Sequence, residues 1–291
     1  DDELIINRWS GSAGTYNKEL ITGLSAGKHT VYTEYFDKTR HAVLFAEVVP
    51  FGDWNVYYYP NENLEGSPAN SRVVKSQKDG SLFEDHGTGS PMSGVPSDHF
   101  SARYTTAKRI DPGEYVIRTR ADDGVRVYID GKLVLDRWST SAYQEDAVKI
   151  RIDNNPKAEK GQENIHWIEV HYFDRTRDSA VYFSIQPLEK ELSTDSWFGS
   201  FYNNMDVKGQ PVISVGGTGS ANPVKGISFN WGLDSPHKKV NTDNFSARFK
   251  KIIEGGKDYF VQTYADDGIR VKVDDELIIN RWSGSAGTYN K

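Results

Sequence analysis

The first eighteen residues, DDELIINRWSGSAGTYNK at Asp1–Lys18, return letter for letter at Asp274–Lys291. Chance does not give such an identity. The chain is therefore read first as a repeat, because internal periodicity decides which segments can share a core. Weaker matches lie between the twin segments. YADDGIRVKVDDELIINRW (Tyr264–Trp282) answers RADDGVRVYIDGKLVLDRW (Arg120–Trp138), DNFSARF (Asp243–Phe249) answers DHFSARY (Asp98–Tyr104), and YFDKTRHAV (Tyr35–Val43) answers YFDRTRDSAV (Tyr172–Val181). Put in order, they give one complete unit over 51–190, the front two-thirds of a second over 191–291, and the back third of another over 1–50. Units one period apart have diverged, whereas units two apart are identical over the twin segment. A two-unit block copied whole inside a longer tandem array explains this pattern, as does a deliberate permutation.

Within the complete unit the pattern is that of strands. EYVIRTRADDGVRVYIDGKLVLDRW alternates apolar and polar residues over Tyr115–Thr119, Val125–Ile129 and Leu133–Leu135, and Asp130-Gly131 between the last two is a two-residue hairpin signal. His166–Phe173 and Ala180–Pro187 read as another strand pair, as do His29–Phe36 and Ala42–Val49 in the fragment. Sixteen Tyr, thirteen Phe and seven Trp suit pleated surfaces. No window carries helical periodicity with caps. The link Phe183–Trp197 is short, so consecutive units are expected to be stiffly coupled. The fold class expected is all-β: tandem antiparallel β-sandwiches.

A net charge of −6 leaves no basic face to neutralise a phosphate backbone, so nucleic acid is excluded as a partner. No apolar run reaches the ~20 residues of a membrane-spanning helix. The absence of cysteine excludes disulfide and thiol chemistry. The seven His show no metalloprotease spacing, Val215–Asn222 is glycine-rich but lacks the Lys-Ser/Thr of a phosphate loop, and no Ser-His-Asp arrangement is visible. An enzyme is not expected. Trp54, Trp138, Trp167, Trp197 and Trp282 are read as core packing, with Arg137-Trp138 and Arg281-Trp282 as stacked pairs.

The order of motifs carries a resemblance. DWNVYYYPNENLEGSP (Asp53–Pro68), HGTGSPMSGVPSDHFSARY (His86–Tyr104), GEYVIRTRADDGVRVYIDGKLVLDRW and IHWIEVHYFDRTRDSAVYFSIQP together resemble the PA-fourteen domain, the β-sandwich module of anthrax protective antigen, of bacterial and yeast adhesins and of glycosidase insertions. The likeness spans 51–190 whole, 191–291 through SWFGSFYNN, FNWGLDSP and DNFSARF, and 1–50 as closing strands. It implies a jelly-roll-like antiparallel sandwich and does not imply one function, since a fold hosts many.

Chemistry is concentrated at Asp122-Asp123 and Asp266-Asp267. Calcium takes 6–8 oxygen ligands from carboxylates and loop carbonyls. Adjacent carboxylates reach one cation only where the backbone bends sharply, which Gly124 and Gly268 permit. The same DDG letters also make an ordinary turn. Lectin members of the family imply a cis peptide at this pair, a calcium ion that binds sugar hydroxyls, and a further ligand from a second loop after a Tyr-x-Asn. Here that position is Asp174, and Asp37 in the fragment. The added charge favours the cation and weakens the sugar inference. Thr176 and Asp178 are expected to complete the shell, and Asp266, Asp267 and Asp37 to form the equivalent site of a composite domain in which a 1–50-type segment completes 191–291.

The expectation is thus a non-enzymatic, extracellular repeat protein, secreted or on a bacterial surface, forming a stalk, fibre or adhesin braced by Ca²⁺. Its partners would be neighbouring copies, through head-to-tail stacking or strand complementation, and cell-surface glycans. The alternative is a calcium-dependent carbohydrate-binding module, free-standing or appended to a secreted hydrolase.

Overall fold

Alternation along the strands becomes two antiparallel sheets closed over one core. The computed structural model describes residues 3–9, 15–38, 42–156, 158–282 and 288–290, so the twin terminal segments lie partly outside the described residues. Two units are distinguished, Asp1–Lys251 and Ile252–Lys291, and each is described by itself.

In the first unit, β1 (Trp54–Tyr59), β2 (Asn70–Val74), β3 (Leu82–Gly87), β4 (Phe100–Arg109), β5 (Gly113–Asp122), β6 (Gly124–Ile129), β7 (Lys132–Arg137), β8 (Gln144–Ile152), β9 (Ile165–Asp174) and β10 (Ser179–Pro187) make a complete sandwich. One sheet runs β2-β1-β4-β9-β6-β7, and the facing sheet contains β8-β5-β10-β3. The inward side chains Trp54, Tyr58, Phe100, Tyr104, Ile168, Tyr172 and Phe183 have no exposed surface. Burial of this order, at about 25 cal/mol per Å² of apolar area, is what holds the sheets together. The β6–β7 turn has Asp130 at φ 49° and Gly131 at φ 80°, the two left-handed residues a tight hairpin needs.

One assignment from sequence is corrected. β9 and β10 do not pair with each other: β9 lies between β4 and β6, and β10 between β5 and β3, in opposite sheets. Likewise β5 and β6 belong to different sheets, so the DDG stretch is the point where the chain crosses the sandwich. Alternation tells which side of a strand is buried and is silent on which sheet the strand joins.

A short α1 (Leu188–Glu191) leads into β11 (Phe198–Tyr202), β12 (Ile213–Gly216) and β13 (Ser246–Lys250). Helix is confined to α1 among the described residues. The order β12-β11-β13 repeats β2-β1-β4 and extends the second sheet through one bridge, Ala147 opposite Ser214. The junction buries Val116, Ala147, Leu188 and Phe198 together. Arg118 pairs with Glu191 and donates to the Gly216 carbonyl at 2.7 Å. Gly216 and Gly217 have φ of 70° and 82°, and a Cβ on Gly216 would stand 2.3 Å from the Trp197 carbonyl. The glycine-rich loop is therefore a packing element of the junction.

The described residues of 1–50 carry no strand, including both expected runs, and Trp9 and Tyr32 are 63% and 72% exposed. In the second unit, β14 (Thr263–Ala265) pairs with β17 (Thr288–Asn290), and β15 (Ile269–Val273) with β16 (Glu276–Arg281).

Candidate functional site

At the sheet crossing, the Asp122–Asp123 peptide is cis. Gly124 follows because nothing larger fits: Phe173, its register partner on β9, lies across the backbone. The crossing is pinned from three directions. The Asp123 carboxylate accepts from the Ser141 N–H at 2.9 Å and from the Arg175 N–H at 2.8 Å. Its carbonyl accepts from Arg137 Nη1 at 2.8 Å, while the Asp122 carbonyl accepts from the Tyr172 hydroxyl. Arg137 is buried, pairs with Asp146 and also donates to the Ala121 carbonyl.

Asp174 closes β9 opposite Phe100 and faces inward. It is fully buried, and neither carboxylate oxygen has a hydrogen-bond partner. Burial, followed by the charges of Asp123, Asp98 and Asp122, pushes its pKa up to about 7. Asp122 is also raised, by burial and then by Asp123 and Asp178. Asp98 was missed from sequence; its signal was the DHFSARY motif answered by DNFSARF. Its carboxylate accepts from the Arg177 N–H at 2.9 Å.

The loop 175–178 is thereby tied down on its inner side to Asp123 and Asp98. On its outer side the Arg175 guanidinium grips Glu62, which also meets His99 Nδ1 at 2.7 Å. Thr176 and Asp178 lie exposed on this loop. The charges of Asp123, Asp98 and Asp122 act on Asp174, and those of Asp123 and Asp178 on Asp122. Among the described residues no three His, Cys, Asp or Glu side chains are arranged to hold a metal by themselves, so a cation here needs loop carbonyls as well. The fit to a hard cation rests on Asp174, a buried carboxylate without a donor.

Asp266 and Asp267 are exposed in the second unit, Asp267 with φ 64°, and Asp37 is exposed in the first. The aromatic assignments change. Of the five Trp read as core, only Trp54 is fully buried. Arg137 does not stack on Trp138; Arg126 does, at 4.6 Å, and Arg270 covers Trp282 at 3.9 Å in the same relative positions. Trp138 in turn packs on Phe173 at 4.8 Å, which sets a partly exposed indole beside the acidic crossing.

Residues 52–195 and again 195–290 match the PA14 domain, the PA-fourteen family resembled by the sequence. The chain belongs to the PA14 domain family. The anti-sigma-I factor RsgI3 of Acetivibrio thermocellus is 26% identical over 221 residues, covering 68% of this chain and 32% of that protein, so the match spans about a third of the relative. A solved anti-sigma factor domain-containing protein from Clostridium clariflavum is 23% identical, with a TM-score of 0.38, covering 82% of this chain and 83% of that one. A PA14 sugar-binding domain from an RTX adhesin is 15% identical, with a TM-score of 0.34, covering 48% of this PA14 chain and 92% of the adhesin domain. No described helix is long and apolar enough to cross a membrane.

Proposed function

We propose that this PA14 chain is a non-catalytic, extracellular binding and spacing module whose sheet crossing holds a calcium ion. The observation that carries the reading is Asp174, fully buried with both carboxylate oxygens unpartnered. A carboxylate in that state is costly unless it is neutralised or meets a cation. Asp122, Asp123 and Asp174 would hold the ion, with the Thr176 carbonyl and Asp178 or Asp98 completing the oxygen shell. A bound calcium supplies positive charge at the crossing and open positions for neutral hydroxyls. Arg137 and the loop 175–178 hold the acidic residues in place, and they perform no reaction.

The ligand class we assign is carbohydrate. Trp138 supports it: a partly exposed indole beside a cation site offers a sugar one apolar face and one hydroxyl-binding point. The repeat architecture suits a rigid stalk or adhesin that displays such sites at intervals. The similarity to part of an anti-sigma-I factor favours a second setting, as the ligand-receiving portion of a larger regulatory protein. In either setting the equivalent site of a repeat completed by a 1–50-type segment would use Asp266, Asp267 and Asp37.

Calorimetric titration of the calcium-stripped protein tests the ion, and a glycan array run with calcium and with EDTA tests the ligand. Heat on calcium addition and calcium-dependent glycan signals support both parts. A titration without heat, with no rise in melting temperature, removes the calcium site. Calcium binding without glycan signals leaves the brace and removes the lectin reading.

A further inference from the structure

The outer face of the six-stranded sheet is covered in a way the calcium site does not explain. Tyr57, Arg103 and His171 stand side by side across β1, β4 and β9, with Glu169 and Trp167 along the same strand as His171. Tyr16, Lys18 and Phe45 lie against this face. The Tyr16 ring meets Tyr57 at 5.3 Å and lies 4.3 Å from the Arg103 guanidinium. Lys18 pairs with Glu169 and sits 5.1 Å over Trp167, and Phe45 reaches Tyr57 at 6.0 Å. Thr22 Oγ1 stands 3.4 Å from Gln162 Nε2.

The seated residues belong to the closing third of the other kind of repeat, since 1–18 is identical to 274–291. The junction from the complete unit into 191–251 is built differently: there β8 takes β12 of the following repeat onto its edge. At the position aligned with Lys18 the two kinds of repeat also differ in charge. In both repeats an Arg-Trp-Ser is followed by a Tyr, and two residues later stands Glu145 in the complete unit but Lys18 in the other. Glu145 accepts from Ser220 Oγ at 2.9 Å and from the Ala221 N–H at 3.1 Å, donors of the following repeat. Lys18 instead meets an acid, Glu169, whose counterpart in the other repeat is Tyr32.

We propose that the outer face of the six-stranded sheet is the docking surface for the closing third of a repeat of the other kind, and that the Lys18/Glu145 position enforces strict alternation. Seated in the same way, a second complete unit would bring Glu145 to Glu169, two like charges on a half-covered face. That penalty against the wrong neighbour is how related surfaces are told apart. It also accounts for the identity of units two apart beside the divergence of units one apart.

The chain has no cysteine, so a single engineered pair reports the docking cleanly. Thr22→Cys with Gln162→Cys, in the full chain, is expected to close a disulfide in a glutathione buffer. Adding Lys18→Glu installs the residue of the complete unit and is expected to slow closure about two- to fivefold, the weight of an exposed ion pair. Glu169→Lys on top of it is expected to restore the rate. Failure of the parent pair to close, an unchanged rate with Lys18→Glu, or no rescue by Glu169→Lys would each overturn the proposal. Folding of each variant is checked by circular dichroism, and calcium titration of the same samples keeps this result separate from the metal site.

Discussion

Gly124 and Phe173 touch where the chain changes sheets: a Cβ on Gly124 would stand 2.1 Å from Phe173 Cε1. The contact joins the two halves of the acidic site, since Asp123 precedes the glycine and Asp174 follows the phenylalanine. Gly124→Ala must displace the ring, and with it the end of β9. Overpacking of this kind costs about 1–3 kcal/mol. The expected result is that loss in urea unfolding of the calcium-free PA14 chain, together with weaker calcium binding by calorimetry. A variant as stable as the parent would mean that the ring moves aside freely.

Asp174 links stability to pH with a definite sign. Its folded pKa, about 7, is above the ordinary value of 3.8, so the folded state holds the proton more tightly than the unfolded one. The calcium-free protein is therefore expected to be most stable, as far as this group is concerned, below pH ~4, losing that contribution as the pH rises through 7. Calcium competes for the same oxygens, so its affinity should rise over this window and its binding should release a proton below pH 7. Asp174→Asn is expected to flatten the melting-temperature profile of the calcium-free protein between pH 4 and 8. The same substitution should remove the calcium-dependent gain, which is about 2.7 kcal/mol at a hundredfold excess over Kd.

Arg137 holds the crossing from behind. Truncation to Met leaves Asp146, 2% exposed, without its main partner and removes the donor to the Asp123 carbonyl. Lys239 at 3.7 Å from Asp146 replaces only part of that charge. Breaking one side of a buried pair costs about 3–5 kcal/mol. Arg137→Met is expected to fall in that range by chemical denaturation, and Arg137→Met/Asp146→Asn to recover part of it. Equal losses in the single and double variants would show that the carbonyl contacts, and not the ion pair, carry the effect.

What sequence made legible, and what it hid, follows from the range of each interaction. The Asp130-Gly131 turn, the alternation in β5, β6 and β9 and the tandem period are local or periodic signals, and they were readable. The grouping of Asp122, Asp123 and Asp174 was proposed through a family resemblance, because nothing in spacing places residue 174 beside 122. Asp98 lay in a motif already noted as repeated, yet its role needed the fold. The stack on Trp138 was misassigned to its sequence neighbour Arg137. The true partner, Arg126, is set by the β6–β7 register, in which Arg126 stands opposite Asp136. The sheet membership of β9 and β10 was hidden for the reason that both sheets bury the same alternating faces.

The junction between repeats offers the last test. Arg118 is 3% exposed, pairs with Glu191, and reaches Glu145 at 3.1 Å and the Gly216 carbonyl at 2.7 Å. Glu191, also 3% exposed, is raised above the usual carboxylate range by burial, and Arg118 opposes that shift. Arg118→Met strands Glu191 and is expected to cost about 3–5 kcal/mol. Because the single Ala147–Ser214 bridge is the only ladder pair between β8 and β12, the loss should appear as loosening of 188–220 before the sandwich itself unfolds. Hydrogen exchange is the measurement: protection falls at 188–220 while β4 and β9 stay protected. Adding Glu191→Gln should return part of the protection, since a neutral amide is cheaper to bury than an unpaired carboxylate. Uniform loss of protection across both sheets would instead make the PA14 sandwich and its following strands one cooperative unit.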